Sequence, residues 1–218
     1  MTDDHEIPDF SGDDFANDKD IQKERAAIKA YNKMIDDALA LIKKELNVQD
    51  ASHINLKGFE MFKSLTATII DSLRSVNESK ALQVSLARYN SSYPIARSSN
   101  GGTDLYLFGH ITLKNNYPHT YIHKETIKEK IADIFLKLEV DFPDSKKFSR
   151  RFYVLTEDKK KLQDILQFKD LDQLTAFPDM EMEFSSNTLL FRSSRKPVSL
   201  EEAAVFCELA KTLLTLFS

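Results

Sequence analysis

Glycine, cysteine and tryptophan are scarce here: 218 residues hold five glycines, one cysteine and no tryptophan. The glycines stand at 12, 58, 101, 102 and 109. Loops that cradle phosphate need closely spaced glycines so that backbone N–H groups can approach the anion. Neither G-x-G-x-x-G nor G-x-x-x-x-G-K-[ST] is present, which excludes the nucleotide-loop classes, and G-x-S-x-G, H-E-x-x-H and the kinase signatures are missing as well. The lone Cys207 excludes an internal disulfide and a cysteine-built zinc ribbon, and it fits a reducing compartment. The richest apolar stretch, Leu200 to Phe217, carries Glu201, Glu202, Glu208 and Lys211, so it falls short of the roughly 20 apolar residues a bilayer crossing needs. Met1, Thr2, Asp3 and Asp4 are acidic where an export signal would be basic and then apolar. The expectation is a soluble cytoplasmic protein.

What is present is ordinary for a globular chain, with 42% hydrophobic and 29% charged residues, so disordered and fibrous classes do not fit. With no tryptophan, fifteen phenylalanines must supply most of the aromatic core volume. The net charge of −4 is uneven: residues 1–20 hold eight acidic groups against Lys19, or −7, which leaves +3 on the rest. A stretch so dense in like charge cannot bury enough apolar surface to order itself, so residues 1–19 read as a disordered acidic tail.

From Ile21 to Leu46, apolar residues recur every three or four positions (Ile28, Tyr31, Ile35, Ala38, Leu39, Ile42), the pattern of one helical face. Phe59, Phe62, Leu65, Ile69, Leu73 and Val76 repeat that spacing after a polar connection, and residues 20–80 therefore predict a helical hairpin able to mediate self-association. After Lys80 the period changes: Leu82, Val84 and Leu86 alternate as in a half-buried strand, and Leu105 to Leu113 forms a second strand closed by Asn115 and Asn116. Residues 124–142 fit a helix or a strand, and a short helix giving way to a strand near Asp133 is preferred. Arg151 to Thr156 reads as a strand, followed by a short helix through Leu162, Ile165 and Leu166. Asp170 and Gln173 form a capping pair for another short helix. Met180 to Phe184 and Thr188 to Ser193, broken by Ser185, Ser186 and Asn187, read as a β-hairpin. Ser199 and Glu202 make an S-x-x-E capping box that starts the final helix. The resulting fold class is α+β: a helical hairpin, then residues 81–218 as a mainly antiparallel sheet of about five to seven strands packed against a C-terminal helix.

Three constellations could carry chemistry. His119 and His123, four apart, with His110 on a neighbouring run, could hold a transition metal, although surface histidines around Pro118 explain them as well. Glu181 and Glu183 share one side of a strand, as paired carboxylates would, but their alternation with Met180, Met182 and Phe184 is also that of a solvent-facing surface. Lys146, Lys147, Arg150, Arg151, Lys159, Lys160 and Lys161 form a basic cluster suited to an acidic protein or another polyanion, with Arg192, Arg195 and Lys196 on segments that could fold nearby. The acidic tail could lie across that cluster and screen it. Cys207 falls on the apolar stripe of the last helix, where it reads as a small core residue.

The stretch FSRRFYVLTEDKKKLQDIL from Phe148 to Leu166, with Phe152, Val154, Thr156 and Asp158 in order, resembles the C-terminal part of an uncharacterised bacterial family, a domain of unknown function. The subsequent MEMEFSSNTLLFRS extends the likeness to about residues 136–193. It implies a strand, a turn with a Ser/Thr-x-Asp element, a helix and a β-hairpin. Members of that family are often membrane-attached through N-terminal hydrophobic segments, where this chain has an acidic tail and an amphipathic helical hairpin instead. The resemblance implies no activity and no cofactor. Sequence alone therefore points to a non-enzymatic binding or scaffold protein acting through the basic face or the hairpin. The alternative is an enzyme whose site is assembled from scattered residues, with the three histidines as its candidate centre.

Overall fold

The computed structural model of the chain describes residues 19–53, 58–63, 66–76, 82–90, 104–124 and 138–217. The acidic tail up to Asp18, and most of the ambiguous segment at 125–137, lie outside them. Helix α1 (Lys19–Leu46) buries Ile35, Ala38 and Ile42 and ends where Asn47 takes φ 51°, a left-handed conformation that asparagine tolerates as a helix stop. Strand β1 (Val48–Asp50) comes next, then the four-residue helix α2 (Glu60–Lys63) and strand β2 (Thr66–Ser75).

The second arm of the expected helical hairpin is thus a strand. The reason lies in a β-bulge between Ile69 and Asp71. A four-residue step returns to the same side of a regular strand, but the extra residue of a bulge moves every later residue to the other side. Ile69 accordingly packs on one face of the sheet and Leu73 is buried on the other, so an apolar spacing that mimics a helix comes from an interrupted strand. The α+β class holds, with α1 as the one long N-terminal helix among the described residues.

Strands β3 (Leu82–Asn90), β4 (Leu105–Lys124), β5 (Leu138–Glu139), β6 (Phe152–Thr156) and β7 (Glu181–Arg192) complete a seven-stranded sheet of order β1-β2-β3-β4-β6-β5, with β7 on β4 and every pairing antiparallel. Strand β4 runs past the expected stop at Asn115 and Asn116. It pairs with β3 through residues 105–111, with β6 through 120–124, and with β7 along both halves.

Strand β7 is one strand rather than a hairpin, and it is sharply bent. Glu181 and Arg192 lie at its two ends, which a straight strand would hold about 36 Å apart, yet their side chains are hydrogen-bonded. The bend falls where the β4 to β7 register shifts, between Thr112 and Thr120, opposite Ser186 with its φ of 55°. The polar break Ser185-Ser186-Asn187 therefore folds the β4/β7 ribbon over on itself instead of reversing the chain.

That bend gives the sheet a concave face and an outer face. The outer face carries the main core, where α5 (Leu200–Phe217) contributes Ala203, Phe206, Ala210 and Leu213 and packs beside α1. Lys211 joins the two helices, donating to Glu45 at 2.8 Å and to Glu208 at 2.9 Å. The Ser199 hydroxyl accepts from the Glu202 N–H at 3.1 Å, as the capping box requires, but the Glu202 carboxylate turns away to accept from Ser193 and Ser194. The concave face holds a smaller core, in which Phe59, Met61 and Phe62 from the α2 turn cover Ala87, Phe108, Tyr121, Leu155 and Leu190.

Helix α3 (Lys146–Arg151) precedes β6 and α4 (Lys159–Leu166) succeeds it. The Thr-x-Asp element acts locally: the Asp158 N–H donates to the Thr156 hydroxyl at 3.3 Å, and the Asp158 carboxylate caps α4 by accepting from the Lys161 N–H at 3.0 Å. The segment after Asp170 is a 3-10 helix, Leu171–Ala176, and the Asp170 side chain meets Gln173 at 3.1 Å without capping the backbone.

Candidate functional site

The two carboxylates that alternation places toward solvent are among the most buried polar groups in the protein. Glu181 is 2% exposed and Glu183 0%, because the strand has no solvent face: one side meets the main core and the other lies inside the fold of the ribbon. Burial by itself raises the pKa of Glu181, but the Arg192 charge and the Arg195 hydrogen bond outweigh it and hold the carboxyl at about 2. Arg192 Nε donates to it at 3.2 Å, Arg195 Nε donates from a half-exposed position, and the Tyr121 hydroxyl donates at 2.7 Å. Burial, then the neighbouring Glu181 charge, pushes the Tyr121 phenol far upward, so it remains a donor.

Glu183 accepts from the Glu60 N–H at 2.8 Å, the Met61 N–H at 2.9 Å and His119 Nε2 at 2.9 Å. It therefore caps the first turn of α2 from a strand more than a hundred residues away. The hydrogen bond to Glu183 raises His119 above its usual range, against burial and with help from Glu157, which lies 3.5 Å from Nδ1. These charges are mutually satisfied. A carboxyl held near 2 is a poor general base at neutral pH, and the hydrogen bonds of both carboxylates clasp β4, β7 and the α2 turn together.

The histidines do not converge. His119 serves Glu183; His123 donates from Nδ1 to the Lys124 carbonyl at 2.7 Å; and His110 stands edge-on to Phe59 at 6.4 Å between ring centres. Among the described residues no group of three or more histidine, cysteine or acidic side chains is placed to hold a metal ion. Burial lowers both His110 and His123, so both are neutral, and Nε2 of His123 is a buried acceptor with no hydrogen-bond partner among the described residues. Cys207 is a core residue, its thiol pushed up to about 11 by burial.

The basic cluster divides into two groups at opposite ends of β6. Lys159, Lys160 and Lys161 form the first turn of α4, after the strand. Lys146, Lys147, Arg150 and Arg151 belong to α3, before it. Arg151 is committed to the Thr175 carbonyl, whereas Lys146, Lys147 and Arg150 lie at the surface and make no ion pair among the described residues. Their backbone is firmly held. Phe148 is fully buried, its N–H donates to Asp172 at 2.9 Å, and the Ser149 hydroxyl both accepts from the Phe142 N–H at 2.8 Å and donates to the Phe142 carbonyl at 3.2 Å. Arg192 and Arg195 lie apart from this helix, on Glu181.

Beside α3 runs a groove of about 280 Å³, with Phe142, Asp144 and Ser145 on one wall and Asp164, Leu166 and Gln167 of the α4 end on the other. The next residue, Phe168, is 90% exposed. Nothing in the local sequence marks Phe168 as exposed, since apolar periodicity assigns a phenylalanine to the core by default. Among the described residues, no helix is long and apolar enough to cross a membrane.

No protein-family model matches the chain, and no curated protein matches it significantly. Among solved structures, the crystal structure of the mycobacterial trehalose monomycolate transport factor A, TtfA, is similar in fold, with a TM-score of 0.51 at 9% identity over 82% of this chain and 91% of that one.

Proposed function

We propose that the chain is a non-enzymatic binding or scaffold protein that engages an acidic protein partner through α3. The observation that carries this reading is the way α3 is built. Phe148, Ser149 and Asp172 fix the helix from behind, while Lys146, Lys147 and Arg150 project outward with no ion pair among the described residues. Cations on a rigid backbone lose less conformational freedom on binding than cations on a loop, so more of their attraction appears as affinity. Lys160 and Lys161 at the far end of β6 add to the long-range field that steers an anionic partner. The buried carboxylates are occupied in holding the fold.

The test is retention on immobilised polyglutamate at low ionic strength. The wild-type chain binds and elutes with added salt; the triple variant K146E/K147E/R150E passes through with its circular dichroism unchanged. Equal retention of the two proteins would overturn the reading.

A further inference from the structure

We propose that residues 58–63 form a pH-gated strap: the charged pair His119–Glu183 latches it across the concave face of the sheet, and loss of the His119 proton releases it while the sheet stays folded. The inference is independent of the reading of α3.

The strap is attached by side chains rather than by a ladder. Its backbone meets the sheet where the Glu60 and Met61 N–H groups donate to the Glu183 carboxylate at 2.8 and 2.9 Å. Its single turn closes with the Phe62 N–H on the Phe59 carbonyl at 3.0 Å. Four residues are too few for a helix to persist alone in water, so α2 depends on Glu183 and on its apolar contacts. Those contacts are Phe59, Met61 and Phe62 against the concave face, with the Phe62 and Phe108 rings 4.6 Å apart. Among the described residues, every ladder of the sheet joins one β-strand to another, and the larger core lies on the opposite face. Lifting the strap therefore breaks no strand pairing and leaves that core intact, which is the condition for a local opening distinct from global unfolding.

Charge makes the opening depend on pH. Glu183 is fully buried, and its charge is balanced by two N–H groups and by protonated His119, whose Nε2 lies 2.9 Å away. With His119 neutral, the carboxylate keeps its hydrogen bonds but loses its counter-charge. Lifting the strap, which covers it through Glu60 and Met61, then lets water solvate it. The groups facing His119 are Glu183 from β7 and Glu157 just after β6, the latter 3.5 Å from Nδ1, and both favour the protonated ring. The strap itself adds Glu60. Farther along the same face Glu181 is paired with Arg192 and Arg195, and burial keeps His110 and His123 uncharged. His119 thus holds its proton more tightly with the strap closed over a dry Glu183 than with the strap open and Glu183 hydrated. Closure is fully supported below the ordinary histidine value of 6.5 and weakens as pH rises through the elevated closed-state value.

The test is native-state hydrogen exchange on the full chain from about pH 6 to about pH 9, each amide rate being divided by its intrinsic rate at the same pH. Protection of the Met61 N–H should fall about tenfold across that range, while the protected amides of the β4/β7 ladder keep theirs. His119→Gln should hold Met61 at the low, alkaline level of protection at every pH. Glu183→Gln, which needs no counter-charge, should make Met61 protection constant with pH, and Glu60→Gln should leave the wild-type dependence in place. The wild-type chain and His119→Gln decide the matter even where Glu183→Gln fails to fold. Met61 protection that is constant with pH in the wild type, that still falls in His119→Gln, or that falls in step with the β4/β7 ladder would overturn the proposal.

Discussion

Glu183 and His119, 64 residues apart in sequence, meet at 2.9 Å inside the bent β4/β7 ribbon, and the same carboxylate ties down the N–H groups of Glu60 and Met61. One buried side chain thus joins two strands to the turn that covers the concave face. Glu183→Ala removes the acceptor for three donors, and it should destabilise the protein by about 3 kcal/mol in urea unfolding. Amide exchange at residues 58–63 should rise before global unfolding does. An unchanged midpoint would mean that water replaces the carboxylate at no cost.

The clasp also has a pH dependence whose sign is set by its partners. His119 is raised in the folded protein, so its contribution is fully present below the ordinary histidine value of 6.5 and fades as pH rises through the elevated folded value. Glu181 behaves oppositely: its contribution is fully present above the ordinary 4.5, then fades as pH falls toward about 2, and it amounts to something on the order of 3 kcal/mol. Melting temperature should therefore drop at both ends. His119→Gln should flatten the alkaline limb, Glu181→Gln the acid one, and a limb that keeps its slope in the matching variant would refute the assignment.

Gly109 of β4 stands directly across the ribbon from Phe191 of β7, whose ring lies over it. A Cβ there would collide with the Phe191 ring, and Phe191 is itself fully buried and stacked on Phe206 at 5.3 Å. Gly109→Ala should cost about 3 kcal/mol, and Phe191→Leu should relieve part of that cost in the double variant. Additive effects, measured as a thermodynamic cycle, would show that the two positions do not collide.

Much of the architecture can be read from the chain before folding. The Ile35, Ala38 and Ile42 stripe gives α1; Leu82, Val84 and Leu86 give β3; Ser199 with Glu202 gives the start of α5. The α2 to β2 region misleads for a specific reason: Ile69 and Leu73, four apart like neighbours on a helical face, belong to a strand whose bulge sends them to opposite faces of the sheet. Ser185 to Asn187 looks like a hairpin turn because a bend needs the same small polar residues as a reversal, and only the partner strand distinguishes them.

The candidate surface is half legible in the same way. Lys146, Lys147 and Arg150 are visible as a basic run, but the interruption by β6 that separates them from Lys159 to Lys161 is a property of the fold. Glu181 and Glu183 illustrate the reverse case. Alternation identifies which side of a strand a residue takes but not whether that side meets water. The signal that could have found Glu181 is Arg192, a cation at the end of a buried strand, which must have a carboxylate partner.

Strand β4 needs partners from both directions along the chain. Leu82 to Arg88 is already made when β4 leaves the ribosome, but Gly109 waits for Phe191. At ordinary elongation rates of about 5–20 residues per second, that interval lasts on the order of several seconds. Through it a nascent chain presents a long edge rich in leucine, isoleucine and tyrosine with no neighbour to cover it. Synthesis rate and chaperone supply, more than final stability, would then set how much of this protein reaches its native state in a cell, and codon choice between residues 124 and 181 becomes a physical variable of its folding.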